Sequence, residues 1–366
     1  MSMKCLQIIL LTWLASLVAS VATPAQAETI FLEYNAKIKA WEKQLALATS
    51  MEEMRKTVML KPNGVAYRDR MIKVVGTELK NPWTLKYAGW LISNTPVGKK
   101  DTAFIMQYAE KFHMNSPNLG EFCFNVAASS QPVNVKRTFI EKAMKSIKDK
   151  RQKGIASISL AAVLSEIGDS ARNNERRLTL VRQAIIDSAD VKVGNSTVGD
   201  TAMEMVYRMR NLSKGRLAPA VVGADSSGKQ VSLSSYRGRV VMLVFWSSFD
   251  LETEQTVKLL ELIRRTEKDY LGKDFALVGV NKDQLKHLRE LEKEDLTSSV
   301  NIADPQRRIF GDYRVNTAPH CYVIDKQGII GYSGAVGSFA TLTVDALLSA
   351  KPTGITPRPA LKPAIR

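Results

Sequence analysis

Two textures of hydrophobic patterning divide the chain. From residue 28 to about 212, apolar positions recur at helical spacing, as in "YNAKIKAWEKQLALA" (Tyr34–Ala48), "TAFIMQYAEKF", "VKRTFIEKAMKSI", "IASISLAAVLSEIG" and "RRLTLVRQAIIDSA". Breaks such as "KPNG", "NPW", "SNTPVGKK" and "SSQPVN" separate them, and strand-like alternation is scarce. This predicts an all-α domain over 28–212, built of antiparallel helix pairs stacked like a short solenoid. No clean 34-residue period assigns it to a named repeat class. The stretch "NLSKGRLAPA" (Asn211–Ala220) reads as the join.

From Val221 the pattern becomes strand, helix, strand. "AVVGADSSGKQVSL" predicts a hairpin around a Ser-Ser-Gly-Lys turn. "VVMLVFW" (Val240–Trp246) and "FALVGVN" (Phe275–Asn281) are continuous apolar runs, the mark of strands covered on both faces. A helix of about 18 residues is expected between them. "DQLKHLRELEKED" predicts a charged helix, "SSVNIAD" a strand and "PQRRIFGDYRV" a short helix. "HCYVID" and "IIGYSGA" predict strands around a Lys-Gln-Gly turn, and Val336–Ala350 a closing helix. The alternation implies a three-layer α/β domain over 217–350 with a mostly parallel centre.

The ends read differently. Lys4, an apolar stretch from Leu6 to about Ala22 and the small-x-small triplet Ala25-Gln26-Ala27 predict a signal peptide over 1–27, cleaved before Glu28. An uncleaved membrane anchor is the alternative, and only then would a membrane be a partner. The segment 351–366 has four prolines, four basic residues and no acid, and reads as a disordered basic tail.

Charge adds one feature. The net charge is +16, and residues 28–215 hold 30 Lys and Arg against 19 Asp and Glu, a net of +11. Residues 216–366 hold 21 against 17, a net of +4. The basic first half leaves binding of an acidic polymer open. No zinc finger, basic zipper or glycine-rich RNA-binding motif accompanies it, so no specific nucleic acid is expected.

Of three cysteines, Cys5 leaves with the signal, and Cys123 and Cys321 remain. Two cysteines so far apart make no disulfide framework, and buried free thiols are the expectation. His113, His287 and His320 with these thiols show no metal-ligand spacing, and "GAVGSF" lacks the lysine and threonine of a phosphate loop. No metal or cofactor is expected.

The second half then resembles a known family. "APAVVGADSSGKQVSLSSYRGRVVMLVFWSS", "DFALVGVNKD" and "YRVNTAPHCYVIDKQGIIGYSG" together resemble the thioredoxin-fold redoxins of the TlpA/ResA group. The helical half, through "SPNLGEFCFNVA" and "VGNSTVGDTAMEMVYRMRNLSKGRLAP", resembles the N-terminal region of large planctomycete-type redoxins. The resemblance implies an α/β thioredoxin-like domain, a Cys-x-x-Cys pair in the turn after Trp246, and a proline at Pro319 whose bond to Ala318 is cis. In this sequence the two cysteine places hold Asp250 and Thr253.

Oxygen cannot replace sulfur here, because exchange requires a thiolate to attack a sulfur. Asp250, Glu252 and Glu254 instead favour the positive end of the following helix, with Ser247 or Ser248 as its expected cap. The leading expectation is an exported, periplasmic-type binding or structural module without dithiol exchange. Its peptide-holding groove would lie at Trp246, Phe249, Ala318, Pro319 and His320. One alternative is a thiol-disulfide oxidoreductase or peroxidase using Cys321, alone or with Cys123. The other is a basic envelope protein binding acidic polymers. His320 could meet Asp250 in a polar contact.

Overall fold

The computed structural model describes residues 22–47, 51–76, 78–168, 170–248, 253–294, 297–298 and 300–350. The apolar core of the expected signal, Cys5 and the expected tail lie outside them. Chain contacts divide the molecule into two compact units, 1–203 and 204–366.

The first unit contains α1 (Pro24–Leu47), α2 (Met51–Met59), α3 (Gly64–Val75), α4 (Thr84–Asn94), α5 (Lys99–Phe112), α6 (Leu119–Ala128), α7 (Val133–Ser146), α8 (Lys150–Ser165) and α9 (Ala171–Ser188). A small hairpin follows, β1 (Lys192–Val193) with β2 (Ser196–Thr197), which helical periodicity gave no reason to expect. The helix starts are chemically specified. Asn63 accepts from the Val65 and Ala66 amides, Asp149 from that of Gln152 and Ser170 from that of Asn173. α1 begins at Pro24, ahead of the cleavage point expected after Ala27, and Ala27 is buried beside Ile30 and Tyr34. A second core gathers α4 to α8 around Leu119, Phe122, Cys123 and Leu160. α8 is buried on nearly every side. Gly154 allows its close crossing with α9, because a Cβ there would lie 1.9 Å from Ser188 Oγ.

Helix α10 (Val198–Asn211) crosses the boundary between the units at Met203/Glu204, so the division falls inside a helix and not after residue 212 as the pattern suggests. The reason is packing. Tyr207 and Leu212 join the core of the second unit, and Tyr207 Oη donates to the Asp312 carbonyl at 2.8 Å.

The second unit holds the hairpin β3 (Val222–Ala224) and β4 (Gln230–Ser232), then β5 (Val240–Trp246), α11 (Thr253–Asp269), β6 (Phe275–Asn281), α12 (Leu285–Lys293), β7 (Asn301–Ala303), α13 (Arg308–Asp312), β8 (His320–Ile324), β9 (Ile330–Gly334) and α14 (Ser338–Ser349). Five strands form one sheet in the order β7-β6-β5-β8-β9. The centre is mixed rather than mostly parallel: β5 runs parallel to β6 and antiparallel to β8, and β8–β9 is antiparallel. The short connection at Lys326–Gly328 permits only an antiparallel return.

Strand alternation sorts the core into two layers. Val241, Leu243 and Phe245 face one side with Tyr313 and Tyr322. Val240, Met242, Val244 and Trp246 face the other with Cys321, α11, α12 and α14. All seven residues of β5 and of β6 are buried, which is why both read as uninterrupted apolar runs. This is the thioredoxin-like arrangement that the resemblance implied for this half.

Candidate functional site

The turn after β5 is where the fold would carry its chemistry, so its polar atoms decide what it can do. Trp246 is 1% exposed, and its indole donates to Asn301 Oδ1 at 3.2 Å. Gly279 leaves the space for this bond, since a Cβ there would lie 2.1 Å from that same oxygen. Trp246 therefore belongs to the core and forms no wall of a groove, contrary to the sequence reading. β5 is covered on both faces, so every position on it is buried.

Ser247 and Ser248 are drawn to a residue the sequence reading overlooked. Ser247 Oγ donates to Asp283 Oδ1 at 2.5 Å, and the Ser248 amide donates to Oδ2 at 2.9 Å. Ser248 Oγ and Asn281 Nδ2 also donate to Oδ2, each at 3.0 Å. Asp283 is 4% exposed, so these four donors replace the water a carboxylate would otherwise keep. Both serines thus bind Asp283, while the residues between them and the helix they were expected to cap lie outside the described residues. The available signal was the polar pair Asn281 and Asp283 closing a buried strand.

Ser248 Oγ also lies 2.9 Å from His287 Nε2. A hydroxyl has one hydrogen. With it given to Asp283, the imidazole Nε2–H donates to the Ser248 oxygen. His287 Nδ1 is 3.5 Å from Glu290 Oε2, so a proton on that nitrogen meets a carboxylate. The serine hydrogen is spent on a buried anion, which leaves Ser248 a structural hydroxyl rather than an activated nucleophile.

Phe249 and Asp250 lie outside the described residues. Thr253 opens α11. The sequence from Trp246 to Thr253 contains no cysteine. The Ala318–Pro319 bond is cis. Ala318 is buried, while Pro319 and His320 are half-buried and border the surface.

His320 pairs with Phe245 across the β5–β8 ladder. Its described partner is Ser333, with Nε2 and Oγ 2.9 Å apart, and its ring lies against Tyr322. Burial, with the nearby Arg208 cation adding to it, lowers its pKa to about 4. Next to it Cys321 is 0% exposed, its thiol 3.5 Å from the Ala335 carbonyl that accepts from it. Burial raises the thiol to about 12. Cys123 is equally buried in the first unit, and its thiol is likewise raised by burial. Both cysteines are free. Among the described residues no cluster of His, Cys, Asp and Glu could hold a metal ion.

Residues 215–333 match the AhpC/TSA family. This part of the chain is a thioredoxin-like redoxin of the TlpA/ResA type. The redoxin segment is 29% identical over 114 residues to the thiol-disulfide oxidoreductase ResA of Geobacillus kaustophilus, covering 31% of this chain and 64% of that relative. It is 29% identical over 124 residues to the thioredoxin-like protein YneN of Bacillus subtilis, covering 32% and 69%. A solved structure of a putative thiol:disulfide interchange protein DsbE from Chlorobium tepidum is also similar, at 23% identity and a TM-score of 0.35, over 38% of this chain and all of that one. The chain thus spans a little under two thirds of the length of the ResA relative. The helical unit lies outside the matched residues.

Proposed function

We propose that the redoxin unit is an exported binding module that has given up dithiol exchange and holds an extended peptide beside Pro319 and His320. One observation carries this reading: the turn from Trp246 to Thr253 has no sulfur. The remaining thiol of this unit supports it. Cys321 is sealed in the sheet, and a thiol raised to about 12 offers almost no thiolate at neutral pH. The peptide reading follows from the resemblance, because redoxins use the surface at the cis-proline to hold extended chains.

The test is an insulin-reduction and peroxide-turnover assay of the purified protein against its Cys321→Ser form. Neither protein is expected to turn over above background. Turnover in the parent that disappears with Cys321→Ser would establish the oxidoreductase reading in its place. Export is checked separately, by N-terminal sequencing of protein recovered from outside the cytoplasm, with Glu28 as the expected first residue.

A further inference from the structure

The helical unit, which lies outside the residues matched to the family, holds a pocket of about 560 Å³. Three neighbouring helices form its walls, with α4 between α1 and α6, and the β1–β2 hairpin supplies the rest of the lining. Each helix contributes one aromatic ring and one asparagine: Phe31 and Asn35 from α1, Trp90 and Asn94 from α4, Phe124 and Asn125 from α6.

Trp90 belongs to the core and to this lining at once. It is 4% exposed, yet its indole N–H is buried with no acceptor among the described residues. Its packing does not call for the nitrogen. The ring meets Phe31 and Tyr34 edge to face, with centres 6.1 Å and 5.3 Å away, and a plain hydrocarbon ring could do the same. A buried donor without an acceptor is costly to a folded chain, and here it stands on the wall of a pocket.

The other polar atoms complement it. Asn94 Nδ2 donates to Ser93 Oγ at 2.6 Å, and Asn125 Nδ2 to the Glu121 carbonyl at 3.0 Å. These bonds use the amide nitrogens. Asn94 Oδ1 has no described donor, and Asn125 Oδ1 takes Ser93 Oγ at 2.7 Å and keeps one lone pair. The Asn35 side chain makes no described hydrogen bond. Charge does not select the ligand: Lys86 is paired with Glu28 at 2.7 Å, and Lys39 and Lys192 are balanced in number by Glu42 and Glu121.

A fitting ligand therefore carries a carbonyl for Trp90 and N–H groups for the asparagine oxygens, repeated from helix to helix. Packed helices lie about 8–10 Å apart, which is about three residues of extended chain at roughly 3.3 Å each. A sugar would need open ring faces to stack on. Lys86 Nζ sits 4.8 Å from the centre of the Phe31 ring, and Trp90 is enclosed by its neighbours. We infer that this pocket is a second binding site, for an extended segment of another polypeptide whose backbone pairs with Trp90 and the three asparagines. It is separate from the surface beside Pro319 and goes beyond the reading given for the redoxin unit.

The experiment places the photoreactive residue p-benzoylphenylalanine at position 124 of the full chain. The protein is irradiated with reduced, carboxymethylated α-lactalbumin, a chain that stays unfolded. Crosslinking to it is expected, and the native, disulfide-bonded form of the same probe should stay at background. Yield should fall about fivefold in Trp90→Phe and in Asn35→Ala, the loss of one hydrogen bond each. Both variants should melt cooperatively within about 5 °C of the parent, and Asn35→Ala alone decides the matter if Trp90→Phe does not fold. Neither substitution touches the residues beside Pro319, so the result is distinct from that of the redoxin reading. Undiminished crosslinking in the folded variants overturns the site, as does a failure to crosslink the unfolded probe. Equal crosslinking of the native probe overturns the extended-chain assignment. Competition by excess chitohexaose overturns it in favour of a sugar.

Discussion

Asp283 and Lys282 are chain neighbours with opposite fates, and they stand for two regions of the redoxin unit. Around Asp283 every carboxylate oxygen has its donors, and the surroundings are closed to water. Around Lys282 lies an open pocket whose lining includes Glu204, Phe310 and Arg314. The first region occupies the place where a redox turn would begin, and the second lies beside it. A saturated polar network holds structure, because leaving any member unpaired is costly. An open pocket keeps room for solvent beside it. The difference separates a polar network closed on itself from a surface open to solvent.

The predictions probe that division. The largest effect concerns the closed side. Cys321 should react with a thiol reagent about 10³-fold more slowly in the native protein than in urea near neutral pH, the ratio that a rise from 9 to about 12 implies. Rapid native labelling would show that the sheet opens there. Asp283→Ala should cost about 3–4 kcal/mol in urea unfolding, because four donors lose their acceptor at a buried site. A loss below about 1 kcal/mol would mean that water replaces the carboxylate.

His320 gives a smaller effect with a definite sign. Its folded pKa of about 4 lies below the ordinary 6.5, so the unfolded chain binds the proton first. Stability from this group is full above about 6.5 and is lost as pH falls toward 4. The loss should be about 2 kcal/mol after allowance for its partial contact with solvent. His320→Asn should flatten the stability profile in that window relative to the parent, and parallel profiles would remove the assignment. The smallest effect belongs to the open side. Arg307 lines the open pocket with a left-handed backbone, φ 57°. Arg307→Gly should change stability by less than about 1 kcal/mol, since relief of that strain is offset by a freer unfolded chain. A loss of 2 kcal/mol or more would make Arg307 a structural residue.

Much of the fold is legible in the amino-acid sequence. β5 and β6 announce themselves because a strand covered on both faces has no polar position to interrupt it. The β3–β4 hairpin follows from its turn residues, and the long helices from their spacing. The site is less legible. Trp246 is visible as a residue, but its bond to Asn301 depends on the space Gly279 leaves. Asp283 is 35 residues from Ser248, and only the β5–β6 register brings them together. The pocket around Lys282 joins residues from α10, the end of β6 and the loops around α13, so no local motif could mark it. The unit boundary within α10 is hidden for a similar reason, since periodicity does not say which neighbour a helix face will meet.

The position of β5 also has a consequence during synthesis. Its partner β6 lies about 35 residues downstream, but its other edge stays unpaired until residues 320–324 arrive, nearly 80 residues after Val244. Through that interval the chain presents Val-Val-Met-Leu-Val-Phe-Trp with a row of open amides and carbonyls. A ribosome that stalls, or a stop codon that falls, before His320 releases a product whose most aggregation-prone segment has no cover.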